Sequence, residues 1–566
     1  EVEMYRSSIC LLMYLSALSL VAAEDLKQSE QQRIEVIRRI SPAVVCVMDA
    51  AGAGGGSGVL ISADGYAISN FHVTSGSASF LKCGLNDGRV YDAVLVGIDP
   101  TGDVSLIRLL GRSDFPFATA GNSDNVRAGD QCLALGNPFL LASDFSPTVT
   151  WGIVSGTRRY QYPSGTFLEY TDCIQIDASI NPGNSGGPLF DIQGRWIGIN
   201  GRASFEKRGR VNSGAAYAIS VNQVLHFVDH LKCGLIVDHG RLDFTVESDE
   251  QFNVVVQQVS ELSEAYRRGL RAGAVLESFA GRRLTSANDF QNVVGIYPEG
   301  TRLPLVWRDR TGQHTATVRL GPLHAFQKAP ELPQERRPEG HPENDSQQPE
   351  QPSPELLKLF TAREGFCNYY FNDVATQQLL TPMVQRLVDV TPDMAWKITV
   401  SSADEATALQ GEIVVTRNTV GLRLNDQSWL QKTETPKLQE EPPMFPGFLV
   451  AINHLHRLLR KDKPAFDDLT AAGRTVHQPS GRALRILLAR TGARSARWYF
   501  SDDQPLPVAL DLEPEAATDE VRLLFDGWKM WSGLLFPERL GIVDPTTEQV
   551  SWLKITAASA QQEQNK

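Results

Sequence analysis

The chain has 566 residues, too many for a single hydrophobic core, so we expect two to four domains. Its 42% hydrophobic and 21% charged residues are typical of a globular protein rather than a disordered one. The net charge of −12 and the lack of a long basic run argue against a nucleic-acid partner.

The N-terminal segment has the pattern of a secretory signal peptide over residues 1–23. Arg6 supplies a positive charge, residues 9–20 form an apolar run, and Val21-Ala22-Ala23 is a small-residue cleavage site. An uncleaved membrane anchor is the alternative, but it needs about 20 apolar residues and this run is shorter. We therefore expect an exported protein, in the periplasm or another extracytoplasmic compartment.

Residues 24–232 read as an all-β region that ends in a helix. Short apolar runs such as "GSGVLISADGYAISN" and "YDAVLVGID" alternate with Gly, Asn, Asp and Pro, as in a β-sandwich or barrel. The stretch "SVNQVLHFVDHLK" then has helical spacing, with four apolar residues predicted on one face: Val221, Val224, Leu225 and Val228.

Residues 233–322 combine both kinds of element in a second unit. "FNVVVQQV" predicts a strand, and "SANDFQNVVG" a helix with Ser286 as its N-cap. "TRLPLVWRDRTGQHTATVRLG" predicts a hairpin that turns at residues 310–312.

Two further regions complete the expected organisation. Residues 323–355 include seven prolines and are predicted to be a disordered linker rich in Pro, Glu and Gln. Aromatic and aliphatic residues return after it, and residues 356–566 read as an α+β domain with strands such as "ALRILLART" and "ARWYF".

The cysteines and histidines give no pattern of a metal site. Four cysteines stand in or beside apolar runs and are expected as buried free thiols: Cys46, Cys83, Cys132 and Cys173. His226 and His230 have a spacing that could hold zinc, but no third ligand accompanies them. We expect no metal and no organic cofactor.

The segment "DASINPGNSGGPLFD" contains Ser185, which is either a nucleophile or one polar residue of a glycine-rich turn. A serine hydroxyl needs a neighbouring base, and the base needs a carboxylate that orients it. His72 is the histidine that precedes Ser185 in the β region, and Asp103 stands just before an apolar strand. We expect the amides of Gly183 and Ser185 to be the donors of an oxyanion hole.

Six blocks in order carry a resemblance to a known family: "GSGVLISADGYAISNFHV", "DPTGDVSLIRL", "ALGNPF", "TVTWGIVS", "DASINPGNSGGPLFD" and "GRWIGIN". They resemble the HtrA/Deg family of exported trypsin-like serine proteases. The resemblance implies a chymotrypsin-like double barrel with His72, Asp103 and Ser185 as its catalytic triad. It also implies cleavage of unfolded or damaged envelope proteins, and a homo-oligomer, by analogy a trimer. The alternative is a non-catalytic chaperone or carrier with an inert triad, which binds unfolded protein or an apolar ligand.

Residues 236–322 resemble the PDZ domain that follows the protease in that family. The resemblance implies that "GRLDF", with Leu242, Asp243 and Phe244, receives a peptide segment. The family usually has Gly where Asp243 stands, and an acidic side chain disfavours a terminal carboxylate. Recognition of a C-terminus, recognition of an internal segment and a purely structural role all stay open.

The substrate pocket and the last domain are less defined by the sequence. Ser179 stands where an aspartate would select Arg or Lys, so we expect a preference that is not trypsin-like. Asn200, Gly201 and Ala203 are predicted to flank a pocket for modest aliphatic side chains. Residues 356–566 faintly resemble the lipoprotein-carrier fold, an open curved barrel around an apolar cavity; a generic interaction domain is the alternative.

Overall fold

The computed structural model describes residues 26–52, 55–76, 79–137, 144–161, 169–205, 212–324, 352–387, 394–402, 410–432, 438, 441–443, 445–461, 466–478, 480–515 and 518–562. The predicted signal peptide and most of the predicted linker lie outside these residues. The described chain forms two compact units. The first holds residues up to 95, 99–225 and 352–358, and the second holds 96–98, 226–324 and 359–562.

Two closed six-stranded barrels dominate the first unit, which confirms the expected chymotrypsin-like double barrel. The first has the strand order β1-β2-β3-β6-β5-β4: β1 Val44–Met48, β2 Gly56–Leu60, β3 Tyr66–Ser69, β4 Phe80–Gly84, β5 Val90–Asp99 and β6 Val104–Leu109. The second has the order β10-β11-β12-β9-β8-β7: β7 Gln131–Gly136, β8 Thr148–Gln161, β9 Tyr170–Ile176, β10 Pro188–Asp191, β11 Trp196–Phe205 and β12 Asn212–Ser220.

Each barrel is closed around the apolar residues of its own strands. Val45 and Ile107 lie in the core of the first barrel, and Ile174 and Leu189 in that of the second. The β2–β3 turn needs Gly65, whose φ is +92° and whose Cβ, if it had one, would lie 2.4 Å from the carbonyl oxygen of Leu109.

The described helices are α1 over residues 26–40, α2 Phe71–Thr74, α3 Val221–Lys232, α4 Glu264–Arg267, α5 Ala287–Val294, α6 Pro354–Leu357, α7 Tyr369–Val384 and α8 Phe448–Leu458. The predicted helix after the barrels is present as α3. One residue of its predicted buried face was wrong, because Leu225 is 44% exposed. The buried stripe follows Val221, Val224 and Val228, and a residue next to Val224 is turned about 100° away from it.

A six-stranded antiparallel sheet occupies the first part of the second unit, with the order β14-β15-β16-β18-β19 and β17 paired to β16. Its strands are β14 Phe244–Ser248, β15 Val254–Val259, β16 Val275–Phe279, β17 Arg282–Arg283, β18 Arg302–Asp309 and β19 Gly312–Arg319; β13 Gly240–Arg241 pairs separately with β20 Gly321–Pro322. Ser286 caps α5 by accepting a hydrogen bond from Asp289 N at 3.1 Å, as predicted. The predicted hairpin joins β18 to β19 and closes at the Asp309–Gly312 pair.

An eleven-stranded antiparallel sheet forms the rest of the second unit, in the order β24-β23-β22-β21-β33-β32-β29-β28-β27-β26-β25. Its strands are β21 Met394–Ser402, β22 Gln410–Val415, β23 Thr419–Leu424, β24 Gln427–Lys432, β25 Asp468–His477, β26 Arg482–Thr491, β27 Arg494–Phe500, β28 Pro507–Leu512, β29 Val521–Asp526, β32 Arg539–Val543 and β33 Val550–Gln562, and β30 Lys529–Trp531 pairs with β31 Leu534–Phe536.

Helix α8 is the centre of the core against this sheet. Every residue of α8 except Arg457 is buried, and the helix packs against β22, β23, β24 and β29. Glu441 lies at its N-terminus, where its Oε2 accepts a hydrogen bond from Leu449 N at 3.2 Å. Burial raises the pKa of Glu441 to about 7, and the backbone donors only partly offset this effect.

A buried ion cluster joins the six-stranded sheet to the eleven-stranded sheet. We use this name for Glu264, Arg302, Arg319, Asp511, Glu520 and Arg522. Arg319 Nη2 lies 2.5 Å from Asp511 Oδ2 and 2.7 Å from Glu520 Oε2, and the Asp511 side chain is 1% exposed. Burial alone would raise the pKa of Asp511, but the charge of Arg319 and two further guanidinium groups holds it below its ordinary value.

The four cysteines and His226 have neighbours within the fold. Cys46, Cys83, Cys132 and Cys173 are free and buried, as predicted, and burial raises the pKa of Cys132 to about 12. His226 Nδ1 is hydrogen-bonded to the carbonyl oxygen of Ile296 at 2.8 Å. The described residues contain no group of three or more metal-ligating side chains. None of the helices in the described ranges is long and apolar enough to span a bilayer.

Candidate active site

The Asp103 carboxylate organises the base of the site. Asp103 stands just before β6, is fully buried and adopts a positive φ of 58°, a conformation that costs about 1 kcal/mol or more. Its carbonyl oxygen accepts hydrogen bonds from Asn70 Nδ2 at 2.9 Å and from Phe71 N at 3.1 Å. These bonds hold the turn before β6 against the start of α2, which carries His72.

The imidazole of His72 is oriented by that carboxylate. His72 Nδ1 lies 2.8 Å from Asp103 Oδ2 and 3.0 Å from Oδ1, and the backbone N of His72 donates to Oδ1 at 3.0 Å. With Nδ1 as the donor, the other ring nitrogen, Nε2, keeps its lone pair. Because the His72 side chain is 39% exposed, the pair is a base that solvent or a substrate can reach.

Ser185 stands in a glycine turn at the edge of the second barrel. Gly183 has φ +102° and Gly186 has φ +83°, conformations that side chains disfavour. A Cβ on Gly186 would lie 2.2 Å from the carbonyl oxygen of Ser57, so this position has no room for a side chain. The glycines therefore let the Ser185 turn approach the first barrel closely.

Ser57, on β2, braces this turn, although the sequence reading quoted it only as part of a motif. Its Oγ donates to the carbonyl oxygen of Gly183 at 2.6 Å and accepts from Asn137 N at 2.8 Å. Its backbone N donates to the carbonyl oxygen of Ser185 at 2.8 Å. One buried residue of the first barrel thus fixes both sides of the turn.

The two barrels bring Ser185 next to the helix that carries His72. A Cβ on Gly56 would lie 2.8 Å from Val73 Cγ2 and 2.9 Å from the Ser185 carbonyl oxygen, so only a glycine separates the two elements. Within the same turn, Asn184 O accepts a hydrogen bond from Gly187 N at 3.0 Å. Within the described part of the chain, the amides of Gly183 and Ser185 have no hydrogen-bond partner, as donors of an oxyanion hole require.

The residues predicted to flank a substrate pocket differ in what they offer. Asn200 is fully buried, and its Nδ2 donates to the carbonyl oxygens of two other strands at 3.1 and 3.2 Å, so its side chain supports the barrel. The carbonyl oxygen of Gly201 is 3.5 Å from Ser185 Oγ, a long contact. Ser179 is exposed, and Ala203 lies on β11 opposite Ala216.

Tyr170 belongs to this site, although the sequence gave no sign of it. Its hydroxyl donates to Asp103 Oδ2 at 2.6 Å, and it is 4% exposed at the start of β9. Nothing in "LEYTDCIQID" marks this residue, because its contact with Asp103 depends on how two barrels meet.

The predicted peptide-binding loop of residues 240–244 leads into β14, an edge strand of the six-stranded sheet. A cleft of about 410 Å³ is lined here by Leu242, Asp243 and Phe244 together with residues 258–260. Asp243 Oδ1 is 3.1 Å from Arg241 Nη2, so the acidic group that departs from the family pattern has a cationic neighbour.

Comparison with known proteins agrees with the double-barrel fold of the first unit. Residues 56–199 match the family of trypsin-like peptidase domains. A probable periplasmic serine endoprotease DegP-like of Chlamydia trachomatis is 34% identical over 261 residues, which are 44% of this chain and 50% of that protein. The periplasmic serine endoprotease DegP of Escherichia coli K12 is 37% identical over 263 residues, 44% of this chain and 53% of that protein. The chain thus spans about half the length of the curated relatives it matches.

A solved structure, the HtrA-type protease AlgW with tripeptide, is 33% identical and covers 51% of this chain and 96% of its own, with a TM-score of 0.42. The double barrel and the matched residues define a trypsin-like peptidase domain. Within that class, the relatives that the chain matches are DegP-like and HtrA-type serine proteases.

Proposed function

We propose that this chain is an exported serine endopeptidase that cleaves unfolded or damaged polypeptides of the cell envelope. The observation that carries the proposal is the pair formed by the buried Asp103 carboxylate and the accessible His72 imidazole, beside a braced turn in which the Gly183 and Ser185 amides have no partner among the described residues. A carboxylate, an oriented imidazole and a serine from two barrels are the groups that acyl transfer needs.

In the first half of the reaction, Ser185 Oγ attacks the scissile carbonyl carbon while His72 Nε2 takes the hydroxyl proton. Asp103 keeps the proton of His72 on Nδ1 and stabilises the imidazolium that forms. The amides of Gly183 and Ser185 donate hydrogen bonds to the oxyanion of the tetrahedral intermediate. The C–N bond then breaks, and His72 gives its proton to the leaving amine.

In the second half, a water molecule attacks the acyl-enzyme and His72 takes one of its protons. The second tetrahedral intermediate collapses, the proton returns to Ser185 Oγ, and the carboxylic acid product leaves. The protonation states of His72 and Ser185 are then those of the starting enzyme.

We propose the polypeptide-binding roles on separate grounds. The edge strand β14 can accept an extended peptide by strand addition, with residues 240–244 at one end of it. Because Arg241 pairs with Asp243, this end of the strand repels a peptide carboxylate less than an isolated aspartate would. The periplasmic relatives support an extracytoplasmic location, and assembly as a homo-oligomer stays part of the proposal.

The test is active-site labelling combined with proteolysis. Wild type should react with a fluorophosphonate, which phosphonylates the active-site serine with release of fluoride, and should cut casein. Ser185→Ala should not be labelled and should cut casein about 10⁴-fold more slowly. The matched control is Ser113→Ala, since Ser113 is an exposed serine of the same unit outside the site.

The alternative of a non-catalytic chaperone or carrier predicts a different outcome. Wild type and Ser185→Ala would then be equally unlabelled and would bind unfolded protein without cutting it. Such a result, obtained with folded proteins, would overturn the proposed endopeptidase.

A further inference from the structure

The hydroxyl of Tyr170 shares one oxygen of Asp103 with the imidazole of His72. We propose that Tyr170 is a positioning residue of the peptidase reaction. Its hydrogen bond holds the Asp103 carboxylate in place and partly offsets the negative charge of that group. His72 is then basic enough to take a proton without holding it too tightly. This inference rests on the proposed function and adds a fourth side chain to its triad.

The geometry around the carboxylate supports a positioning role. Asp103 Oδ2 receives Tyr170 Oη at 2.6 Å and His72 Nδ1 at 2.8 Å, while Oδ1 receives the backbone N of His72 at 3.0 Å. Tyr170 is 4% exposed and Asp103 is fully buried. A hydrogen bond from a phenol to an ionised carboxylate in such a site is among the stronger ones in proteins.

The charges around this carboxylate are few. Within the described residues, His72 and Tyr170 are the two side chains that donate to the Asp103 carboxylate, and His72 is its one ion-pair partner. Asp99, another acid of the segment that leads to Asp103, is buried and accepts from Gly102 N at 2.7 Å. Among the described residues no arginine or lysine pairs with Asp103, so the phenol joins the two His72 donors in offsetting its negative charge.

The position of the phenol ring is fixed by β11. A Cβ on Gly201 would lie 2.8 Å from Tyr170 Cε1 and 3.0 Å from its Oη, so the ring occupies the space that a side chain there would need. The carbonyl oxygen of the same glycine is the acceptor 3.5 Å from Ser185 Oγ. Tyr170 thus contacts both the carboxylate and the strand that faces the nucleophile.

This arrangement predicts how loss of the Tyr170 hydroxyl would change the basicity of His72. Tyr170→Phe keeps the ring and leaves the two His72 donors on Asp103, but it removes the phenolic hydrogen bond. The negative charge of the Asp103 carboxylate is then less offset by hydrogen bonding, so it stabilises the His72 imidazolium more strongly. His72 should therefore stay protonated up to a higher pH than in wild type. Its basicity is then further from the value that suits proton transfer from Ser185, which lowers the rate.

The experiment compares the pH dependence of casein-peptide cleavage by wild type, Tyr170→Phe and Tyr160→Phe, with active sites counted by fluorophosphonate titration. Tyr160 is the matched control, since its hydroxyl donates to the Glu169 carboxylate on the same pair of strands. For Tyr170→Phe we expect a kcat about three- to tenfold lower, with KM changed less than twofold. The acidic limb of its kcat/KM profile should move up by about half to one pH unit.

A double-mutant cycle guards against a purely structural effect. In an Asp103→Asn background, Tyr170→Phe should change the rate of phosphonylation by the fluorophosphonate less than twofold, because its route to His72 is gone. If Tyr170→Phe and Tyr160→Phe have the same kcat and the same acidic limb of the kcat/KM profile, this inference is overturned while the proposed endopeptidase stands. A wild type without turnover or labelling would overturn the proposed function, and this inference with it.

Discussion

Replacing Asp511 by asparagine perturbs the buried ion cluster with almost no change in side-chain volume. Asp511 accepts from Arg319 at 2.5 Å and from Tyr499 Oη at 2.9 Å, and it lies within 4.0 Å of Arg302 Nε and Arg522 Nε. The asparagine amide can keep the hydrogen bonds from Arg319 and Tyr499, but it lacks the negative charge of Asp511. Breaking a buried pair from one side costs about 3–5 kcal/mol, so we expect a loss of this size in the free energy of unfolding.

The assay is urea unfolding at pH 7 with hydrogen exchange followed by mass spectrometry, so that residues 482–526 are read separately from the barrels. The control is Asp526→Asn, which removes the partner of Arg539 in an exposed pair and should cost less than about 1 kcal/mol. The pKa of Asp511 lies below its ordinary value in the folded state, so the difference from wild type should be complete above about pH 4 and shrink below it. A loss below 1 kcal/mol, equal to the control, would refute the account of the cluster.

Three further predictions follow from particular contacts. Gly201→Ala should lower casein cleavage at least tenfold, since its Cβ displaces the ring of Tyr170, whereas Gly76→Ala, with nothing within 4 Å, should leave cleavage unchanged. Nicking within residues 325–351 by a foreign protease should give two fragments that co-elute in gel filtration at low salt, because the ion cluster joins the chain on both sides; separate elution would contradict this. Since burial raises the pKa of Glu441 to about 7, the stability that Glu441 contributes is present below about pH 4.5 and is lost as pH rises through 7. Glu441→Gln should therefore gain on the order of 3 kcal/mol over wild type in urea unfolding at pH 8 and nothing at pH 4.

Local patterns predicted the parts of this molecule that local forces decide. Ser286 was recognisable as an N-cap, and the hairpin at residues 310–312 as a turn, because each depends on neighbours within a few residues. The order of His72, Asp103 and Ser185 was informative because the chemistry restricts which residue types can act together.

Long-range contacts were beyond the same reasoning. Tyr170 approaches Asp103 across 67 positions of the chain, and Arg319 approaches Asp511 across 192. An isolated arginine or tyrosine in an apolar strand looks the same whether it faces solvent or a buried carboxylate. Leu225 was assigned to the wrong face of α3 because helical spacing alone does not show where the edge of the buried stripe lies, and Leu225 is 44% exposed.

The position of β33 has a consequence for the order in which the second unit can form. Strands β21 to β24 make one side of the eleven-stranded sheet, strands β25 to β29 with β32 make the other, and β33 lies between β21 and β32. The inner strand of each half stays unpaired on one side until residues Val550–Gln562 have been synthesised and have joined the sheet. Until then two open strand edges face each other, each a template for pairing with another chain. A chain cut short before Val550 should therefore aggregate through these edges, and a ribosome or secretion channel that still holds the last strand should keep the sheet in two pieces.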